Sequence, residues 1–162
     1  MSLKLILMRH AKSSWNSPGP DHDRPLNARG RDAALQLGDW LRAQGHLPDV
    51  ALVSSAARTQ ETFARLKLDC PAHSERALYL AEAAKMHSVL SKAQQASVLM
   101  LGHNPGIAEF AEVLVQKAPE HDRFMDYPTG ATLVVEFDGP VWANVVPHSG
   151  RVLDFVVPRE LE

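Results

Sequence analysis

LKLILMRHAKSSWN, running from Leu3 to Asn16, passes from apolar to polar in a single step. Five of the six residues from Leu3 to Met8 are apolar, with Lys4 the exception, which predicts a buried strand in a sheet covered on both faces. The run stops at Arg9-His10, so a guanidinium and an imidazole stand where that strand ends. Ligands of open α/β sheets bind at the carboxyl ends of strands, and a cation followed by an imidazole at such a point suits anion chemistry. Taken alone, the stretch reads equally well as a polar loop after a core strand.

The chain has 162 residues, an ordinary length for one domain with a substantial core, and residues 1–162 are read as that single domain. With 45% hydrophobic and 22% charged residues and a formal net charge of -2, it is neither basic enough for a nucleic-acid scaffold nor biased enough for disorder. Any cationic site is therefore local. Cys70 is the single cysteine; it has no intramolecular disulfide partner and belongs to no CxxC or Cys/His zinc pattern, in keeping with a reducing compartment. The first apolar run is too short for a signal sequence or a membrane span. The expectation is a cytoplasmic protein with neither nucleic acid nor membrane as a partner.

Beyond the first strand, Ser17 to Pro25 is dense in Pro, Gly and Asp and predicts an irregular loop that brings Arg24 back toward the strand's end. Asn27 as N-cap, the helical spacing of Ala34, Leu37 and Leu41, and Gly45 as a stop predict a helix over Ala28 to Gln44. Val50 to Val53 reads as a strand, after which Ser54-Ser55 can cap a helix starting near Ala56. Arg58 falls in the first turn of that helix, where a cation opposes the macrodipole; an anion held there would resolve the conflict. A short apolar run, Ala77 to Leu80, precedes a helical stretch from about Ala81 to Gln95, with Glu82 early in it. Val98 to Leu101 is a buried strand, and Gly102-His103-Asn104-Pro105 predicts a tight turn with Asn104 as N-cap and Pro105 at the first helical position. In the tail, Ala131 to Phe137, Val141 to Val146 and Val152 to Val157 predict a hairpin and a further strand. Parallel strands separated by helices and finished by antiparallel strands make a three-layer α/β/α sandwich on a mixed, mostly parallel sheet.

Three strand ends thus carry Arg9-His10, Arg58 and His103, with Arg24 available from the loop. Phosphoryl transfer depends mostly on positioning and on electrostatic stabilisation of the equatorial oxygens, a task that suits the planar fork of Arg. A neutral imidazole can be the nucleophile, and the scheme requires neither metal nor cofactor. Eight histidines are present, but no pair stands at zinc-binding His-x-x-x-His spacing.

The ordered motifs resemble those of the histidine phosphatase superfamily, which shares its fold with the phosphoglycerate mutases. Arg9-His10-Ala11 stands where the family has Arg-His-Gly, and Ser13, Trp15 and Asn16 match the mutase-like continuation. Leu26-Asn27-Ala28-Arg29-Gly30 is similar to the family's helix entry, Ser54 to Arg58 with Thr62 to its second Arg motif, and Gly102 to Gly106 to its second His motif. The short length and Asp23-Arg24-Pro25-Leu26 place the chain nearest the SixA-like phosphohistidine phosphatases.

That resemblance implies that His10 forms a phosphohistidine intermediate and that Arg9, Arg58 and His103 stabilise the phosphoryl oxygens. It implies substrate-binding places for Arg24, Ser13, Asn16 and Asn104, and a substrate that is a phosphorylated protein or a small phosphorylated molecule. Two departures bear on the activity: Ala11 replaces Gly, and Lys12 replaces an acidic residue common in mutases. A proton-donating Glu is not evident; Glu82 is the candidate by rough position, and a dipole-favoured carboxylate at a helix start is the competing reading. A small-molecule phosphomonoesterase, a mutase-like phosphotransferase and a non-catalytic phosphate-binding module stand as alternatives to a phosphohistidine phosphatase.

Overall fold

A computed structural model describes residues 1–162. Its strands are β1 (Ser2–Arg9), β2 (Val50–Ser54), β3 (Ala72–Glu75), β4 (Ser97–Gly102), β5 (Thr132–Asp138) and β6 (Arg151–Val156). They form one sheet in the order β3-β2-β4-β1-β5-β6. The first four in that order run parallel, and β5 and β6 are antiparallel to their neighbours. The helices are α1 (Ala28–Gln44), α2 (Ala57–Leu66), α3 (Ala83–Ser91) and α4 (Gly106–Leu114).

β1 explains the layering. Leu3, Leu5 and Leu7 point into a core shared with Met86 and Leu90 of α3 and Ile107 and Phe110 of α4. Ile6 and Met8 point the other way, against Leu37 and Leu41 of α1 and Leu66 of α2. Helices on both faces are why the strand is apolar without alternation. Full burial of each of Leu5, Ile6, Leu7 and Met8 stabilises the fold by about 1.5–3 kcal/mol per side chain.

The predicted bounds of α1 hold. Asn27 accepts a hydrogen bond from the Gly30 N–H at 2.8 Å, and Gly45, at φ 74°, ends the helix in the left-handed region. Gly30 itself lies against the backbone that follows β1; a Cβ there would sit 2.0 Å from the Lys12 carbonyl oxygen. The loop before α1 folds back onto the same backbone. Ser14 N–H donates to Pro25 O at 2.8 Å and Asn27 N–H to Lys12 O at 3.0 Å, so Arg24 is carried to the end of β1.

Three expectations change. Val141 to Val146 is no strand: Trp142–Asn144 forms a 3-10 turn, and buried Trp142 donates its indole N–H to Gln95 O at 2.7 Å. Filling the core with that indole outweighs strand pairing, and β5 pairs directly with β6. β3 was not foreseen, since Ala-His-Ser-Glu has no apolar alternation; it is an exposed edge strand formed by pairing with β2. The helix expected over Ala81 to Gln95 is only Ala83–Ser91. Leu80 has φ 50°, and the Ala81 carbonyl is packed against Gly106, where a Cβ would lie 1.8 Å from its oxygen. The backbone turns at that contact, so the helix cannot begin earlier.

β1 and β4 are neighbours, yet the chain leaves β1 for α1 on one face and leaves β4 for α4 on the other. Such a switch opens a crevice at the strands' carboxyl ends. No helix is long and apolar enough to cross a membrane.

Candidate active site

His10 sits at that crevice with its backbone fixed on both sides. Its N–H donates to Gly102 O at 3.2 Å and its carbonyl accepts from Gly130 N–H at 2.9 Å. The next residue, Ala11, donates its N–H to Thr62 Oγ1 at 3.0 Å, and Thr62 Oγ1 donates to Arg58 O at 2.7 Å. The strand bearing the imidazole and the helix bearing Arg58 are therefore joined through one hydroxyl.

The His10 Nδ1 lies 2.7 Å from Ala11 O. A carbonyl can only accept, so Nδ1 carries the proton and Nε2 keeps its lone pair. His103 lies with its ring centroid 5.3 Å from that of His10. Its Nε2 is 2.7 Å from Ser54 Oγ, and its buried Nδ1 has no partner in the protein. Burial pushes the His10 imidazole down to about 3, helped by His103, Arg9 and Arg58 and opposed by the Ala11 carbonyl. Burial, then Arg58, pushes His103 down to about 3 as well. Both rings are neutral at physiological pH, the form in which an imidazole can act as a nucleophile.

The guanidiniums surround this pair. Arg9 Nη1 donates to Tyr127 O at 3.2 Å. Arg58 donates to Asp21 O at 2.9 Å and to Asp21 Oδ2 at 3.1 Å. Arg24 donates to Asp21 Oδ1 at 3.2 Å and to Ser13 Oγ, and stacks 3.8 Å above the Trp15 ring. Burial and the repulsion of Arg58 lower the pKa of Arg9. Nε of Arg9, Nε of Arg58, Nδ1 of His103 and Oδ1 of Asn104 are buried without a hydrogen-bond partner in the protein. Each such group costs about 1–3 kcal/mol of desolvation. The two guanidinium N–H donors withheld from the fold and the crowded cations both call for an oxyanion.

These groups share one cavity of about 390 Å³. It brings together seven of the expected residues: Arg9, His10, Ser13, Arg24, Arg58, His103 and Asn104. Asn16 is exposed and lies outside its lining, as does Glu82, which occupies the exposed N-cap position of α3. Asn104 does not cap α4. Its Nδ2 donates to Asp126 O at 2.9 Å and Tyr127 O at 3.0 Å, and Pro105, joined to it by a cis peptide bond, takes the cap position instead. Ser54 and Ser55 do not cap α2 with their side chains either. Their hydroxyls go to His103 and, at 2.9 Å, to His22; binding the buried imidazole takes precedence over a local cap.

Asp21, which lies within the Ser17 to Pro25 stretch read as an irregular loop, is a structural centre of the site. It is the single carboxylate lining the cavity. The Tyr79 hydroxyl, which donates to its Oδ2 at 2.5 Å, together with Arg24 and Arg58 holds it down at about 2. The signal in the sequence was the Asp21-x-x-Arg24 spacing opposite an Arg in a helix's first turn. Tyr79 was hidden inside a short apolar run, and Tyr127 gave no local signal.

The model for the histidine phosphatase superfamily (branch 1) matches residues 5–84. An uncharacterized protein of Mycobacterium tuberculosis is 34% identical over 159 residues, covering 94% of this chain and 100% of that protein. Among solved structures, a proposed phosphohistidine phosphatase SixA of Nakamurella multipartitia is 30% identical, with a TM-score of 0.85 over 98% of this chain and 97% of the other. A protein histidine phosphatase SixA complexed with tungstate has the same fold, at 21% identity and a TM-score of 0.81 over 99% of this chain and 100% of that one.

Proposed function

The chain belongs to the histidine phosphatase superfamily, and from that membership and the chemistry of its cavity we propose a metal-independent phosphatase that acts through phosphohistidine on His10 and hydrolyses phosphohistidine or related phosphoramidates. The observation that carries the substrate class is the state of Asp21. The one carboxylate in the cavity is committed to Arg58, Arg24 and Tyr79 and stays ionised at neutral pH. It has no proton to give a leaving group.

An alkoxide leaving group normally needs such a proton, and general acid help is worth about 10²–10⁴ in rate. An imidazole leaving group, whose conjugate acid has a pKa of about 6.5, departs once its own ring nitrogen is protonated, with no acid from the enzyme. In the first step the lone pair of His10 Nε2 attacks phosphorus while the substrate's P–N bond breaks and its electron pair stays on the departing ring. Arg9, Arg58, Arg24 and His103, which line the cavity, are the groups that would stabilise the three equatorial oxygens. In the second step water attacks phosphorus, the P–Nε2 bond breaks and orthophosphate leaves.

The test is a parallel measurement of kcat/KM, without added metal, on phosphohistidine, phosphotyrosine, phosphoserine and sugar phosphates, with trapping of the phosphoenzyme. The expected result is at least a hundredfold preference for phosphohistidine over the alkyl esters, an acid-labile, base-stable phosphate on His10, and little effect of Glu82→Gln. Equal turnover of phosphoserine with a large loss in Glu82→Gln would show an ordinary acid-assisted phosphomonoesterase instead.

A further inference from the structure

A second groove, of about 350 Å³, opens beside the catalytic cavity and shares Lys12 and Thr129 with it as a common wall. Its sides are the first turns of α1, the Pro128-Thr129 segment and the C-terminal 3-10 turn Pro158–Leu161. Four cations line it, Lys12, Arg29, Arg123 and Arg159, against two carboxylates, Asp32 and Glu162. Arg29 is paired with Glu162 at 3.3 Å and Arg123 with Asp126 at 3.0 Å, whereas Lys12 and Arg159 are in no ion pair. In a chain whose formal net charge is -2, this is a local excess of positive charge with two uncommitted cations.

We infer that this groove receives an acidic side chain of a phosphorylated protein or peptide whose phosphorylated residue occupies the adjacent cavity. The inference rests on the reading of the cavity as a phosphatase site and adds the substrate's flanking sequence to it. The two cavities share Lys12 and Thr129, so an extended chain passes from one to the other within a few residues. The acidic residue is thus placed a few positions from the phosphorylated one. Lys12 stands on the shared wall, where it meets both the passing backbone and the acidic group. Arg29 and Arg123 already have carboxylate partners, so they add less attraction than the unpaired Lys12 and Arg159, but all four cations contribute to the groove's positive field. Exposed charges at such contacts are screened by salt, so the preference is ionic-strength dependent.

The experiment uses histidine-phosphorylated peptides that differ only at one of the positions two to four residues to either side of the phosphohistidine, carrying Asp, Ala or Lys there. A small phosphoramidate with no peptide is run alongside. The expected order of kcat/KM at low salt is Asp above Ala above Lys, with about tenfold between the ends, shrinking toward unity at high salt. The double variant Arg29→Glu/Arg159→Glu should reverse the order and leave kcat/KM on the small phosphoramidate within twofold, because neither residue lines the catalytic cavity. Both side chains are exposed, so the variant should melt within a few degrees of the wild type. A wild type with no rank order, or an order that survives the double charge reversal, overturns the groove. Failure of the phosphatase reading is separate and visible, because the small phosphoramidate would then not turn over.

Discussion

Acidification from pH 7 to pH 5 should leave the nucleophile neutral, and the size of that effect follows from the site. An imidazole with the ordinary pKa of about 6.5 is about 3% neutral at pH 5, so a histidine nucleophile of that kind would lose about 25-fold in activity over this interval. Burial beside His103, Arg9 and Arg58 lowers His10 to about 3, which keeps it about 99% neutral at pH 5. The expected kcat/KM, corrected for substrate ionisation, is therefore flat between these pH values and falls only below pH 4. Stability moves the other way. A folded-state pKa below the unfolded value means that the unfolded chain takes up the proton first, so the contribution is complete above pH 6.5 and is lost as pH falls toward 3. At pH 5 the loss is about 2 kcal/mol for each buried imidazole, or about 4–8 °C in Tm for a chain of this size. Ring-nitrogen NMR of the free protein reads the titration directly, and His103→Gln should remove the His103 share of the Tm slope. Titration of His10 near 6.5, with Tm unchanged between pH 7 and pH 5, would refute the reasoning.

Arg58→Ala should lower kcat/KM by about 10²–10³, the usual cost of one oxyanion donor, while Arg58→Lys recovers only part because it loses the fork of donors that reaches Asp21; a loss below tenfold in the Ala variant would remove Arg58 from the machinery. Tyr127→Phe should cost about 2–4 kcal/mol, since the fully buried hydroxyl donates to Leu7 O at 2.5 Å and accepts from Leu133 N–H at 3.1 Å between β1 and β5. Denaturant unfolding checks it, and activity at low temperature should persist because the Tyr127 carbonyl, not its hydroxyl, holds Arg9. Gly30→Ala should destabilise by about 1–3 kcal/mol through overpacking, despite alanine's better helix propensity, because its Cβ would meet the Lys12 carbonyl at 2.0 Å; a variant that melts higher than the wild type would contradict this contact.

How far the sequence could be read depended on how local each cause was. The α1 bounds are written in Asn27 and Gly45, because a cap and a left-handed stop are made within a few residues of backbone. β1, β2 and β4 are written in their apolar runs, because strands buried on both faces have no other composition available. The Val141 to Val146 segment misled for the same reason in reverse: its apolar residues satisfy the core through one indole in a turn, and only the surrounding cavity makes that the better solution. β3 exists through its partner alone.

At the candidate active site, the sequence by itself placed the groups proposed to react. Arg9-His10, Arg58 and His103 each stand at a strand end or in the first turn after one, and that placement follows from local hydrophobic pattern. Tertiary structure decided their condition. It lowered both imidazoles by burying them together, bound Ser54 to His103 where a local cap was expected, and made Asp21, in the loop before α1, the anchor of two arginines. It also set Glu82 outside the cavity, on the exposed start of α3. Charge state, dielectric environment and the direction of a long side chain depend on what lies across space, from residues 33 to 120 positions away in the chain, as in the pairs His22–Ser55 and Leu7–Tyr127. No local pattern encodes such distances, and only the folded sheet brings those partners within reach.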